Sequence, residues 1–400
     1  MLKAVELFTG AGGLGMGVHL AGFKPQAVIE WDKWACDTIE KNQRLGNPLV
    51  EDWPVYRGDI RAFDFDSIKC EIDLLAGGPP CQPFSMGGKH SAQLDNRDMF
   101  PPTISAIRQL KPKAFIIENV RGLTRQNFSD YLNYILYQLE YPDLIIRKNE
   151  SWQVHRARLE RARTSPRRVK PTYNILSQVL NAANFGIPQK RERIFIVGFR
   201  NDINAEWNFP IATHSRDALY HDQWVTGEYW DRNKVAKKVR AEFPYRSKRR
   251  IEQLAHEPPA EKPWSTVRDA FRGLPSPRSP KAKNFIDHRY QGGARAYPGH
   301  TGSPIDLPAK TLKAGVHGVP GGENMIRLND GSVRYFTIRE SARLQTFPDT
   351  YRFHGSWTEV MRQLGNAVPV ELGRKIASSV AYTLLLDQEA KLKRSLKTAH

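Results

Sequence analysis

The chain has 400 residues, room for two or three domains whose cores need no disulfide staples, with 40% apolar and 26% charged residues. No window approaches 18 consecutive apolar residues, so neither a disordered chain nor a membrane-spanning one fits. Sixty Lys and Arg against 42 Asp and Glu leave a net charge of +18, and a polyanion, nucleic acid first, is the expected partner.

The first 200 residues alternate short β-branched runs with helix-like stretches, the sequence form of an α/β domain built on a mostly parallel sheet. Strands are predicted at 4–8 (AVELF), 27–30 (AVIE), 73–77 (DLLAG), 114–119 (AFIIEN) and 193–199 (RIFIVGF), and function is expected at their C-terminal ends. The N-terminus reads as the first strand and not as an export signal, which points to a cytoplasmic protein. The first strand runs into Phe8-Thr9-Gly10-Ala11-Gly12-Gly13-Leu14-Gly15, a G-x-G-x-x-G turn, and Glu30 ends the next strand. Glycines let backbone approach a nucleotide-like ligand, and a carboxylate there accepts ribose hydroxyls. Phe8 and Trp31 suit the faces of an adenine ring or the core, and Asp59 an adenine amino group. The turn alone does not separate NAD from S-adenosylmethionine.

Only three cysteines occur, Cys36, Cys70 and Cys81, without C-x-x-C spacing, so no zinc site or disulfide framework is expected. Cys36 and Cys70 read as structural. Cys81 lies in GGPPCQPFS (77–85), where prolines on both sides hold a thiol at the sheet edge, as a nucleophile requires. Glu118, with Asn119 after it, directly follows the apolar run AFII, where partial desolvation raises a carboxyl toward neutrality and makes it a proton donor. Arg191 and Arg193, at the start of the 193–199 strand, would hold an anion or a carbonyl oxygen, or serve as simple edge-strand charge.

Residues 145–170 are strongly basic; a solvated charged helix and a phosphate-contacting surface are the two readings. Residues 201–306 are rich in Trp, Tyr, Pro, Arg and His without clear period and read as a loop-rich second domain. Regular pattern returns at 337–349 and in an amphipathic helix from Pro369.

Taken in order, these motifs resemble the DNA cytosine-5 methyltransferases of prokaryotic restriction-modification type. The resemblance rests on the F-x-G-x-G turn, Glu30-Trp31, Gly58-Asp59-Ile60, the Pro-Cys loop, Glu118-Asn119-Val120, residues 189–193 (QKRER), the 339–348 segment (RESARLQTFP) and Gly365-Asn366-Ala367-Val368-Pro369. It covers roughly 1–200 and 305–382.

The resemblance implies a Rossmann-like S-adenosylmethionine-dependent catalytic domain (1–199 with 362–400) and a smaller loop-rich DNA-recognition domain (200–361), target recognition falling at about 201–306. It further implies that Cys81 adds to C6 of a cytosine flipped out of duplex DNA, that Glu118 acts at N3 with Asn119 in support, and that Arg193 contacts O2 with Arg191 beside thiol and base. Cofactor residues carried over are Phe8, Gly10, Gly12, Glu30, Trp31, Asp59, Pro79, Asn366 and Val368, with S-adenosyl-L-homocysteine as product. DNA contacts are expected at Gln82, Ser85, Arg246, Lys248, Arg249 and Arg250. A monomer acting on double-stranded DNA is expected, with a cognate endonuclease that reads the same site. A tRNA cytosine-5 methyltransferase is the nearest alternative. A silent DNA-binding homologue would have lost Cys81 or Glu118, and an NAD oxidoreductase leaves the Pro-Pro-Cys loop and the charge unexplained.

Overall fold

The structure is a computed structural model that describes residues 1–80, 98–164, 172–204, 206–298, 300–314 and 324–398. Strands β1 (Leu2–Leu7), β2 (Phe23–Glu30), β3 (Val55–Arg57), β4 (Leu74–Gly77) and β5 (Ala114–Val120) run parallel. They alternate with helices α1 (Gly13–Leu20), α2 (Lys33–Arg44) and α3 (Phe100–Leu110). After β5 come α4 (Ser129–Glu140), α5 (Trp152–Thr164), β6 (Tyr173–Asn181), the two-residue β7 (Gln189–Lys190) and β8 (Glu192–Arg200). The seven-stranded sheet has the order β3-β2-β1-β4-β5-β8-β6, with β8 antiparallel to both β5 and β6.

Central strands read as unbroken apolar runs because both faces are covered. Alternation sends Ala4, Leu74, Ala114, Ile116, Phe195 and Val197 to one face, against Leu14 and Val18 of α1 and Leu372, Ile376 and Val380 of the helix Val370–Thr398. It sends Val5, Leu7, Leu75, Phe115, Ile117 and Ile196 to the other, against Phe100 and Ile104 of α3 and Ile135 and Leu139 of α4. The helix Val370–Thr398 lies so close to α1 that a Cβ on Gly17 would stand 2.5 Å from the Arg374 backbone nitrogen. Gly17→Ala would therefore push these helices apart.

The five predicted strands are present, with ends shifted by up to four residues. Two were not predicted. β3 is only three residues long, and β6 is an edge strand whose middle residues face outward, so neither shows an apolar run.

Beyond β8 the chain forms short elements, among them the pairs His214–Ser215 with Lys262–Pro263 and Ala309–Lys310 with β7. The boundaries expected at 199/200 and 361/362 cut through continuous packing. Ile203 and Trp207 join the core under α1, and a third core unites Ala11, Met16 and Trp53 with Phe336, Phe347, Tyr351 and Leu364. Among the described residues no helix is long and apolar enough to cross a membrane, and no group of metal-binding side chains occurs.

Candidate active site

β1, β2, β4 and β5 end on one crest of the sheet, and the crest is built by chain segments far apart in sequence. Phe8, just past β1, is half-buried with a left-handed φ of +54°, and packs on the α3/α4 face. Gly10 follows with φ +57° and open space where a side chain would stand, so the turn leaves a cradle that a Cβ would enter. Gly12, whose N–H donates to the Thr9 carbonyl at 3.0 Å, leads into α1.

Glu30 ends β2 with its carboxylate folded onto this turn. Oε2 accepts the Gly10 N–H at 2.7 Å, and Oε1 accepts those of Trp31 at 2.9 Å and Asp32 at 2.7 Å. Burial pushes the Glu30 carboxyl up while the three backbone donors pull it down, with burial prevailing. A carboxylate offers about four lone-pair sites, so three backbone donors leave one for a ligand hydroxyl. Trp31 stands beside it, 62% exposed. Asp59 caps the turn Ile60–Ala62 and binds the Arg61 guanidinium through both oxygens, which lowers its carboxyl below the usual range. Asn366 closes the helix Trp357–Asn366 on the surface, and Val368 is buried against α1, where any Cβ on Gly13 would overlap its carbonyl. An open glycine cradle, a carboxylate with a free acceptor site and an exposed indole fit an adenosyl group.

The second part of the crest lies at β4 and β5. β4 ends at Gly77 and passes through Gly78, Pro79 and Pro80, where the description stops; Cys81, Gln82 and Ser85 lie outside the described residues. Asn119 donates its side-chain N–H to the Pro79 carbonyl at 3.0 Å and accepts the Val120 N–H at 2.8 Å, so it pins the approach to Cys81 onto the end of β5. Glu118 is 8% exposed. Antiparallel register sets Arg193 opposite Val120, and its Nε reaches Glu118 Oε1 at 3.0 Å. Burial nevertheless raises the Glu118 carboxyl, outweighing the pull of Arg193 and Arg191. Glu118 thus holds a proton more readily than a surface glutamate while a cation stands ready for its ionised form.

Arg191 is expected beside the thiol, which lies outside the described residues, and its charge reaches the Glu118 carboxyl. It is 1% exposed, and its guanidinium donates to the carbonyls of Leu312 at 3.3 Å, Gly365 at 3.0 Å and Asn366 at 3.3 Å. It ties the β7–β8 corner to both returning segments. Gln189 does the same, donating to the Leu344 carbonyl at 3.2 Å and accepting the Leu312 N–H at 3.0 Å. That role was missed, because a buried amide is marked in sequence only by its place in QKRER. Cys36 is buried, its thiol pushed up to about 12 chiefly by desolvation, and Cys70 is half-buried, in line with structural roles.

The expected DNA-reading cations divide. Arg250 is held by Asp217 at 2.6 Å and Lys248 lies 3.7 Å from Glu252, whereas Arg246 and Arg249 are exposed with no carboxylate partner among the described residues. In the basic insert, Arg156 binds Asp130 and Glu160, each at 2.9 Å, Arg158 binds Glu150 at 2.9 Å, and Arg163 binds Glu140 at 3.2 Å. Asp130 and Glu140 belong to α4, so part of the charge that is uncompensated along the sequence is compensated in space. A concavity of about 660 Å³ beside Lys41, Lys283, Arg289 and Arg352 lies away from Glu118.

The sequence profile of the C-5 cytosine-specific DNA methylase family matches residues 2–144 and 169–381 and omits most of the basic insert. The chain is 32% identical over 386 residues to "Type II methyltransferase M.PspPI" of Psychrobacter sp. (strain TA137), covering 94% of this chain and 78% of that one. It is also 32% identical over 388 residues to "Type II methyltransferase M.Sau96I" of Staphylococcus aureus, covering 95% and 75%. The S. pombe Dnmt2 methyltransferase structure shares the fold, with a TM-score of 0.55 at 18% identity over 97% of this chain and 98% of that one. The crest, the order of its motifs and these matches have one meaning: the chain belongs to the C-5 cytosine-specific DNA methylase family.

Proposed function

We propose that this enzyme methylates C5 of a cytosine flipped from one short sequence of double-stranded DNA, and that it is the modification arm of a Type II restriction-modification system. The observation that carries the reading is Glu118, a buried carboxyl with a raised affinity for its proton, paired with Arg193 and facing the Gly78-Pro79-Pro80 approach to Cys81. The named relatives are Type II methyltransferases, which supports a cognate endonuclease acting on the same site. A monomer working in the cytoplasm on chromosomal DNA completes the proposal. Residues 1–199 with 362–400 carry catalysis and 200–361 recognition.

C5 of cytosine is a poor nucleophile. The Cys81 thiolate forms a bond to C6, and the electrons displaced from the C5–C6 double bond make C5 an enamine carbon. Glu118 gives its proton to N3 and neutralises the charge that develops there, while Arg193 holds O2 and the carboxylate left behind. Asn119 keeps the Cys81 loop seated on β5, and Arg191 acts as a positioning residue through the carbonyls it holds. Phe8, the Gly10–Gly12 turn, Glu30, Trp31, Asp59, Pro79, Asn366 and Val368 would hold S-adenosylmethionine, which would supply an electrophilic methyl group for C5 and give S-adenosylhomocysteine as product. Water removes the C5 proton, the C5–C6 double bond reforms, Cys81 departs as thiolate, and N3 returns its proton to the Glu118 carboxylate.

Bisulfite sequencing of plasmid DNA from cells expressing the wild-type chain or Cys81→Ala tests the reading. Protection confined to one short motif and absent from the variant is the expected result. No protected cytosine, from folded protein that still binds S-adenosylmethionine, would sink it. A duplex with 5-fluorocytosine at the target should trap wild-type protein covalently, since fluorine blocks the final elimination.

A further inference from the structure

Lys310 stands directly opposite Lys190 where the strand Ala309–Lys310 pairs in parallel with β7. Like charges at the same register of paired strands repel, so such a pair costs stability unless something offsets it. Among the described residues no carboxylate lies within ion-pair distance of either lysine, nor of Arg216, which is brought to this place by the packing of His214, two residues before it, on Gly186, four residues before Lys190. Among the described residues the Lys310 ammonium donates only to the Thr301 hydroxyl, at 3.3 Å. The Lys190 ammonium is pulled below its usual value, first by desolvation and then by Arg216 and Lys310. The place is also telling. Lys190 immediately precedes the Arg191–Arg193 corner, while Arg216 opens the helix Arg216–Trp224 and Lys310 precedes Thr311, whose hydroxyl donates to the Lys190 carbonyl at 2.7 Å. One cation comes from the short strand β7 that leads into β8, and two come from the recognition segments.

We propose that Lys190, Lys310 and Arg216 form a phosphodiester clamp that receives the DNA backbone beside the flipped cytosine and relieves its own repulsion when it does so. The inference rests on the DNA-methylating reading and assigns the backbone contact that seats the substrate across both halves of the molecule. A compact anion between three cations is favoured by their shared field and by release of condensed counterions from DNA. Contact with phosphate carries no sequence information, so the clamp acts on every duplex alike.

The test uses the full chain with Lys190→Gln, Lys310→Gln and the double variant, measuring thermal midpoint without DNA and binding of a random-sequence duplex by fluorescence anisotropy across a salt series. Removing either lysine should raise the midpoint of the free protein by about 1–2 °C, because repulsion is lost. The same change should weaken duplex binding about tenfold, as loss of one charge-assisted bond does, and lower the salt slope by about 0.9 per lost phosphate contact. The double variant should lose less than the sum of the singles, since both lysines serve one phosphate. Duplex affinity and salt slope equal to wild type would overturn the clamp, as would weakened binding with an unchanged slope. Random duplex needs no target site, so a chain that protects no cytosine in vivo would defeat the methylation reading while leaving this measurement interpretable.

Discussion

Arg193 with Glu118 and Arg158 with Glu150 are both close arginine–carboxylate pairs, at 3.0 and 2.9 Å, yet their carboxyls move in opposite directions. Glu118 is raised, because burial at the end of β5 removes more hydration than Arg193 restores. Glu150, in the loop before α5 with its side chain 7% exposed, is pulled down to about 2, first by Arg158 and then by the Arg147 backbone N–H. A guanidinium beside a carboxylate therefore does not by itself decide the protonation state: Glu150 accepts two guanidinium N–H groups and the Arg147 backbone N–H, whereas Glu118 meets Arg193 through Oε1 and burial prevails. The crest uses this to keep an acid able to donate, and the insert uses the same residue types to neutralise itself against α4.

The sharpest way to break the comparison is Glu118→Gln. Loss of the proton donor should cut kcat by about 10²–10⁴, measured by single-turnover methylation. In the wild type the donor form is present below the raised Glu118 value and is lost as pH rises through it, so the high-pH fall in rate should vanish in the variant. Next in size is Arg191→Met, which leaves three buried carbonyls without their donor. Denaturant unfolding should show a loss of about 2–4 kcal/mol, and a variant as stable as wild type would refute the tie assigned to Arg191.

Glu6 extends the burial half of the comparison to a carboxyl with no arginine. It lies within β1, its Oε2 finds no hydrogen-bond partner, and desolvation alone raises it to about 8. Its folded-state affinity for a proton exceeds that of the unfolded chain. Its contribution is full below pH 4.5 and is lost as pH climbs toward 8, with a limiting slope of about 1.4 kcal/mol per pH unit. Glu6→Gln should flatten stability against pH over that window. The smallest effect belongs to the insert. Arg158→Gln should leave the salt slope of duplex binding unchanged, whereas Arg249→Gln in the recognition segment should lower it by about 0.9. A drop for Arg158→Gln would return the insert to the DNA interface.

Much of the crest was legible in the sequence because its parts are local. A glycine turn after an apolar run, and an acid placed directly after another, are each confined to a few consecutive residues. Gly10, Glu30, Glu118 and Asn119 could be picked out because strand burial and strand end are both written in periodicity. The sequence also determined the α/β class, since two-faced burial demands the apolar runs seen in β1, β4 and β5.

Tertiary structure alone decided where charges found partners. Arg156 and Arg163 meet α4 acids 26 and 23 residues away, a pairing set by how α5 packs and invisible in composition. Arg191 is marked in sequence only by its neighbours, whereas the carbonyls of residues 312, 365 and 366 that it binds meet it only when the chain returns to the crest. Lys190 and Lys310 stand 120 residues apart and face each other only through strand register. Burial periodicity is a property of neighbouring residues, so sequence carries it; electrostatic partnership depends on distance through space, which only the folded chain fixes.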